Sequence, residues 1–141
     1  MERSAVLDAI PPWFWDVPYV GGHYPAGVPR EALRTSGNCQ LFAYEVLAVH
    51  GFSVANLRSD ELWHDTASTV RASVPQPLDL VLFQKDGNPY GAHVGLVVAD
   101  DEVLHLCKEV GRPAIWRWSA FAARPRYAVV IGYKRPIMVM L

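Results

Sequence analysis

The chain has 141 residues, of which 51% are hydrophobic and 19% charged, and its formal net charge at pH 7 is −1. These values are ordinary for globular proteins and exclude the disordered and fibrous classes. The length suits one domain, so we expect residues 1–141 to form a single domain. Because the net charge is near zero and the sequence has no basic run, we do not expect nucleic acid as a partner.

The first twelve residues carry charges where a signal peptide has its apolar core, and no apolar run approaches membrane-spanning length. We therefore expect no membrane association and, for the chain as written, a cytoplasmic location. Delivery by a dedicated secretion system, or excision from a longer secreted protein, would give the same sequence. The two cysteines, Cys39 and Cys107, are too few for a disulfide framework. We expect a monomer.

The first half of the chain predicts helices. A short helix in residues 1–12 ends at a Pro-Pro pair, and residues 29–34 can form a helical turn with proline at its first position. This turn lies within the segment from Gly22 to Cys39, which is otherwise predicted to be a loop. Further along, Ser59 is expected to cap a helix over residues 60–71, whose acidic residues lie in the first turn, where the helix dipole favours them.

Residues 36–51 are predicted to form one buried helix with Cys39 in its first turn, capped by Ser36 or Asn38 and ended by Gly51. Apolar residues cover most of its circumference, so the helix belongs inside the protein. The partial positive charge of a helix N-terminus favours the thiolate, which is the nucleophilic form of cysteine. The competing interpretation is a small buried apolar cysteine.

In the second half of the chain, apolar residues recur with the two-residue period of β-strands. About five strands are predicted, over residues 78–84, 92–98, 102–107, 113–118 and 127–133, with a short helical turn over residues 119–122. Helices that precede strands, with short connections, favour an α+β fold. We expect the Cys39 helix to pack on an antiparallel sheet.

Two histidines, His93 and His105, fall in consecutive predicted strands. A two-residue turn at Asp100 and Asp101 would put them on opposite faces of the sheet. A three-residue loop over residues 99–101 would instead place His105 opposite Gly95, on the same face as His93. We predict this second register, in which the glycine leaves room for the two imidazoles to approach each other.

If the face of the sheet that carries both histidines packs against the first turn of the Cys39 helix, the three residues form a catalytic triad in the order Cys, His, His. Cys39 would be the nucleophile, and His93 would take the thiol proton and return it to the leaving amine. His105 would hold the His93 ring in the useful tautomer. The competing interpretation for each histidine alone is an ordinary core or surface residue.

Several motifs in the same order resemble the NlpC-type cysteine peptidases, which are bacterial cell-wall hydrolases with a papain-like α+β fold. The resemblance spans roughly Val17 to Tyr133, with 54 residues from Cys39 to His93 and 12 more to His105. The matching segments are Tyr19-Val20-Gly21-Gly22, Asn38-Cys39-Gln40-Leu41-Phe42, Leu57-Arg58-Ser59, Leu78-Asp79-Leu80-Val81-Leu82-Phe83, Ala92-His93-Val94-Gly95-Leu96-Val97 and Val103-Leu104-His105.

The resemblance implies a cysteine peptidase with Cys39, His93 and His105 as its triad and no cofactor or metal. It implies a peptide substrate, a peptidoglycan stem peptide cleaved at a γ-D-glutamyl–diamino acid bond. The departures lie beside the nucleophile, where Asn38, Gln40 and Leu41 replace the family's Asp, Ser and Gly. These positions line the cleft, so they bear on the substrate rather than on the mechanism.

Further residues are candidates for substrate contacts. Tyr19, carried over from the family, is expected near the thiolate or the substrate carbonyl, and Gln40 is expected near the substrate or the oxyanion. The Cys39 backbone N–H is a natural oxyanion donor because it lies at a helix N-terminus. His23 and Asp60 are weaker candidates at the rim, since a solvated loop and a helix cap explain them better.

Two other functions use the same residues. The machinery could transfer the acyl group to an amine or a lipid instead of water, giving an acyltransferase or an amidase on another substrate. Alternatively, the chain could be a zinc-binding or interaction module, with Cys39, His93 and His105 as ligands, with or without Cys107. These four residues lack the short paired spacings of structural zinc sites.

Overall fold

The computed structural model of the chain describes residues 1–24 and 28–140. Residues 25–27, which belong to the loop predicted between Gly22 and Cys39, lie outside it. The α-helices are α1 (Arg3–Asp8), α2 (Cys39–Val49), α3 (Ser59–His64) and α4 (Trp118–Ala122), and 3-10 helices span Pro12–Asp16, Arg30–Arg34 and Pro125–Tyr127. Of the helices in these described ranges, none is both long and apolar enough to cross a bilayer.

One six-stranded sheet follows the helices. The strands are β1 (Thr69–Ala72), β2 (Leu80–Gln84), β3 (His93–Ala99), β4 (Glu102–Leu106), β5 (Pro113–Trp116) and β6 (Val129–Pro136). Their order across the sheet is β1-β6-β2-β3-β4-β5, and every neighbouring pair is antiparallel. The predicted α+β class is therefore confirmed, with one strand more than the five expected.

The additional strand comes from the C-terminal half of the helix predicted over residues 60–71, and that prediction is wrong. The helix ends at His64 because the side chain of Asp65 takes over the hydrogen bonding of the next residues. Its carboxylate accepts the backbone N–H groups of Ala67, Ser68 and Thr69 and the hydroxyls of Ser68 and Thr69. An Asp side chain that binds backbone in this way offers the chain an alternative to the helix.

Helix α2 forms as predicted, and Asn38 rather than Ser36 caps it. The Asn38 Oδ1 accepts the backbone N–H of Leu41 at 3.0 Å, while the Ser36 hydroxyl contacts His23 Nδ1 instead. Gly51 follows the helix with a φ of +87°, in the left-handed region that glycine adopts readily. Eight of the eleven helical residues are buried, so this helix is the centre of the fold.

The sheet separates two hydrophobic cores. The larger core lies on the face that α2 covers, and the smaller one lies on the opposite face under α4. The sheet residues of the larger core are Leu80, Leu82, Val94, Leu96, Val98, Leu104 and Leu106. The smaller core consists of Val81, Phe83, Val97, Val103, Phe121 and Tyr127. Since side chains alternate along a strand, His93 and His105 lie on the smaller core's side.

The β3–β4 hairpin has the predicted register for a different reason from the one expected. Leu96 pairs with Leu104, and this pairing places His105 opposite Gly95. The turn, however, has two residues, because Ala99 pairs with Glu102. An irregularity at Val98 absorbs one residue and restores the register that a three-residue loop would have given.

The last two strands have different bounds in the structure from those predicted. The strand predicted over residues 113–118 stops at Trp116, because Trp118 begins α4 instead. The β3–β4 turn holds Trp118 there: its indole Nε1 donates to the carbonyl of Asp100 at 2.9 Å, and its backbone N–H donates to Asp101 Oδ1 at 3.3 Å. The final strand begins at Val129, two residues later than predicted.

Candidate active site

A cavity of about 210 Å³ opens between the start of α2 and the start of β3. We call it the Cys39 cavity. It brings together three residues selected from the sequence, Cys39, Tyr19 and Gln40, with the predicted base His93. Its other lining residues are Asn38, Gln84, Gly91, Ala92, Arg126 and Tyr127.

The Cys39 thiol is held in its neutral form. Only 8% of the residue is exposed, and burial raises the pKa of the thiol to about 11, although the backbone N–H groups of Val94, Gln40 and Cys39 oppose that rise. The amides at the start of α2 do favour the thiolate, as the sequence analysis expected, but burial of the sulfur outweighs them in the resting protein. Desolvation disfavours the charged form by more than the helix terminus and the nearby amides favour it.

The two histidines meet edge to edge beneath the cavity. His93 Nε2 lies 2.8 Å from His105 Nδ1, with the ring planes at 81° to each other. Burial is the main reason why the pKa of each imidazole lies well below its ordinary value, and the neighbouring His93 lowers the pKa of His105 further. At neutral pH both rings are therefore uncharged, and a single proton is shared between these two nitrogens.

Cys39 meets His93 at the end of the sheet. The sequence analysis expected the histidine face of the sheet to pack against the first turn of α2. Instead, α2 packs on the opposite face, against the larger core. The thiol lies against the backbone N–H of Val94, the residue after His93, and Cys39 and His93 line the same cavity at the start of β3.

A second group of side chains packs beside His93, and the sequence analysis did not predict it. The ring of Tyr127 lies 4.7 Å from that of His93, and its hydroxyl donates to Glu109 Oε2 at 2.6 Å. Arg126 Nη1 donates to the other oxygen of the same carboxylate at 2.7 Å. No short motif links these residues, because Glu109 and Tyr127 are 18 positions apart on different elements.

Tyr19 and Gln40 both reach the Cys39 cavity, as predicted. Tyr19 is fixed by its backbone, since its N–H donates to the carbonyl of Gly111 and the residue bridges to Gly37. Burial and the nearby Cys39 raise the pKa of its phenol. The side-chain oxygen of Gln40 accepts a hydrogen bond from Asn38 Nδ2 at 3.1 Å, so the two residues that replace the family's Asp and Ser hold each other.

The cleft continues on the other side of Gln40 into a cavity of about 250 Å³, which we call the Arg58 cavity. The two cavities share Asn38, Gln40 and Gly91. Arg58 and Asp60 line it, so Asp60 does lie at the rim of the cleft, as the weaker prediction proposed. His23 lines neither cavity, because its ring contacts Ser36 instead.

The zinc alternative lacks a ligand cluster. Within residues 1–24 and 28–140, no group of three or more His, Cys, Asp or Glu side chains is arranged to hold a metal ion. Cys107 is buried at the end of β4, outside the residues that line the Cys39 cavity. In the described part of the chain, the ligands that this hypothesis names are therefore not arranged as a metal site.

The fold is that of the NlpC/P60 proteins. The chain superposes with a TM-score of 0.60 and 20% identity on an NLP/P60-family protein, described as similar to a lipoprotein, from Staphylococcus aureus subsp. aureus Mu50. An NlpC/P60-family protein from Bacillus cereus ATCC 10987 gives a TM-score of 0.53 at 16% identity. The NlpC/p60 domain of the peptidoglycan hydrolase SagA gives 0.57 at 18% identity. No protein-family model and no curated protein matches the chain by sequence.

The extent of these matches differs among the three structures. Almost all of this chain, 99% and 97%, aligns with the Staphylococcus protein and with the SagA domain, and 72% aligns with the Bacillus protein. The aligned part is the whole SagA domain but only 41% and 32% of the other two chains. The resemblance predicted from the sequence motifs is thus confirmed at the level of the papain-like fold.

Proposed function

We propose that the chain is a cysteine peptidase that cleaves an amide bond through an acyl-enzyme. The observation that carries this proposal is the placement of Cys39 and His93 around one cavity, with His93 Nε2 2.8 Å from His105 Nδ1. A nucleophile, a base and a group that orients the base are the parts that covalent amide hydrolysis requires.

In this mechanism His93 moves one proton twice. As the Cys39 sulfur attacks the carbonyl carbon, the S–H bond breaks and His93 takes the proton. When the tetrahedral intermediate collapses, the C–N bond breaks and His93 gives that proton to the leaving amine. A water molecule, activated by the same imidazole, then hydrolyses the thioester and restores the thiol. Because the resting thiol and imidazole are both neutral, charge separation accompanies the attack and does not precede it.

The developing oxyanion would be stabilised by the start of α2. The backbone N–H groups of Cys39 and Gln40 lie against the sulfur, where they favour negative charge. The Asn38 cap binds the N–H of Leu41 and leaves these two earlier groups to the cavity. Preorganised donors of this kind usually provide the largest part of transition-state stabilisation in acyl transfer. We assign Tyr19 and the Gln40 side chain to substrate contacts.

As the substrate we propose a peptidoglycan stem peptide, cleaved at a γ-D-glutamyl–diamino acid bond. The motifs around Cys39, His93 and His105 support this choice, as does the fold shared with the domain of a peptidoglycan hydrolase. The cleft supports it as well, since it extends from Cys39 to Arg58 and Asp60 and offers both signs of charge to a zwitterionic peptide.

Digestion of purified peptidoglycan and of its soluble stem peptides, followed by mass spectrometry, tests this proposal. We expect new termini at the γ-D-glutamyl bond with the wild-type chain and none with Cys39→Ala. Cys107→Ala is the matched control and should retain activity, because Cys107 lies outside the cavity lining. An added amine acceptor distinguishes hydrolysis from acyl transfer. Identical fragments from wild type and Cys39→Ala would reject the proposal.

A further inference from the structure

One buried polar atom of the site has no partner. His105 is 1% exposed, and its Nδ1 meets His93. Among the described residues, its other ring nitrogen, Nε2, has neither solvent contact nor a hydrogen-bond partner. A buried polar atom without a partner is costly in a native protein, so its surroundings need an explanation.

The imidazole ring of His105 is packed among aromatic side chains. The His105 ring centroid lies 4.3 Å from that of Trp116, with the planes at 69°, and 4.7 Å from that of Phe121, at 55°. The face of an aromatic ring carries negative charge density. It attracts an N–H group and repels a nitrogen lone pair. The environment therefore favours the imidazole tautomer whose proton is on Nε2.

We propose, as an inference that rests on the proposed function, that Trp116 and Phe121 are positioning residues that fix the tautomer of both histidines. With its proton on Nε2, His105 presents a lone pair at Nδ1. The 2.8 Å contact then requires His93 Nε2 to be the donor. His93 consequently keeps a lone pair on Nδ1, the nitrogen that is free to serve the Cys39 cavity.

The alternative tautomer would disable the base. If His105 carried its proton on Nδ1, it would donate to His93 Nε2, and neutral His93 would then carry its own proton on Nδ1. That nitrogen could not accept the proton of Cys39. The aromatic residues thus act through His105 on His93, without contact with the reacting atoms.

Arg124 strengthens this arrangement. Its guanidinium carbon lies 4.1 Å from the ring centroid of Trp116, and its Nη1 donates to the carbonyl of Ala120 at 2.6 Å. The cation thereby holds the indole in place. Its charge also opposes the protonation of His105, which keeps the ring neutral and its Nδ1 available as an acceptor.

The direct test is long-range 1H–15N NMR of the imidazoles in the full chain at neutral pH, since this experiment reports the tautomer of each neutral histidine. His93→Asn and His105→Asn assign the two signals. We expect the Nε2–H form for both residues in the wild type. A proton on Nδ1 of either ring would overturn the proposal. This measurement needs no substrate, so it is independent of the proposed peptidase activity.

Variants test the role of the indole in turnover of the stem peptide. Trp116→Leu removes the aromatic face, and we expect kcat to fall roughly 10- to 100-fold with little change in KM, as for other residues that orient a catalytic group. Trp116→Phe keeps an aromatic face and should restore most of kcat. Trp13→Leu, which removes a partly buried indole on the larger core, is the control and should leave kcat unchanged.

The same substitution in a His105→Asn background separates positioning from packing. Asn has no group at the place of Nε2, so Trp116→Leu should cause no further loss of kcat there. An equal loss in both backgrounds would show that Trp116 acts through packing alone and would overturn the proposal. So would a Trp116→Leu protein that retains the wild-type tautomers and the wild-type kcat.

Discussion

The Cα atom of Gly95 lies against the side chain of Val103. A Cβ atom added at Gly95 would lie 2.5 Å from Val103 Cγ1 and 3.5 Å from His105 Cβ. Real Cβ atoms essentially never approach another carbon so closely, so any side chain at this position must displace the Val103 side chain or the strand that carries it. The glycine therefore sets the distance at which the strand carrying His105 approaches the strand carrying His93.

Gly95→Ala should destabilise the protein by about 1–3 kcal/mol, the usual cost of overpacking a core. It should also lower kcat, because it moves His105 relative to His93. Chemical denaturation and steady-state kinetics measure the two effects. Gly87→Ala is the matched control, since a Cβ at Gly87 would meet no atom within 4 Å. Equal stabilities of the two variants would contradict this explanation.

Alkylation of Cys39 by iodoacetamide should accelerate with rising pH beyond pH 9. The reason is that burial raises the pKa of this thiol to about 11, and only the thiolate reacts. Peptide mapping distinguishes Cys39 from Cys107, and Cys39→Ser supplies the blank. A plateau of fast Cys39 labelling between pH 5 and 7 would instead reveal a thiolate–imidazolium pair in the resting protein.

The buried histidines should make folding stability depend on pH in the acidic range. The pKa of His105 is lowered in the folded protein, so the unfolded chain binds a proton more readily as the pH falls below about 6.5. Stability is then fully present above that pH and is lost below it, by at most about 1.4 kcal/mol per pH unit for each such group. Thermal unfolding from pH 7 to 4 should show a smaller decline for His105→Asn than for the wild type. His64→Asn, at an exposed position, is the matched substitution for comparison.

Glu109→Gln should reduce kcat by less than the roughly 10²- to 10⁴-fold that a general base contributes, since Glu109 acts only through its neighbours. The substitution weakens the anchor of Tyr127 on His93 and removes a negative charge that favours the imidazolium. Kinetics with the stem peptide measure the loss. Glu102→Gln breaks an ion pair with Arg3 far from the cavity and serves as the control. Equal kcat values for both variants would remove Glu109 from the mechanism.

Asp65→Ala should lower the free energy of unfolding by about 1–3 kcal/mol, because it leaves several backbone and hydroxyl donors between α3 and β1 without their acceptor. Hydrogen exchange should then show faster exchange in β1 than in the central strands. Asp86→Ala provides the comparison, since that carboxylate accepts a single N–H in an exposed turn. Unchanged protection of β1 in Asp65→Ala would mean that pairing with β6 alone holds this strand.

The sequence predicted the helix of Cys39 and the β3–β4 pairing because both depend on local patterns. The helix has a cap, an apolar circumference and a terminal glycine, and the register of the hairpin follows from the small residue that must face His105. The prediction of a helix over residues 60–71 was wrong because the Asp65 side chain accepts hydrogen bonds from the residues that follow it. These bonds outweigh a helical pattern that otherwise continues to Arg71. Such competition depends on side-chain geometry that periodicity does not record.

The candidate site was predictable only as far as its motifs extend. Cys39, His93 and His105 can be selected from their residue types and their spacing in the sequence. Tyr127 and Trp116 cannot, because their rings contact the two histidines only in the folded protein, where distant segments pack in the same core. The pKa of the thiol was also misjudged, because a helix N-terminus is visible in a sequence and the degree of burial of one sulfur atom is not.

The position of His93 on the face opposite α2 divides the active site between two cores. Cys39 is held by the larger core, and His93 and His105 are held by the smaller one. Local opening that is confined to the six buried residues of the smaller core would leave the helix that carries Cys39 in place. Under the proposed mechanism, turnover would then be lost through misalignment of His93 before the whole chain unfolds.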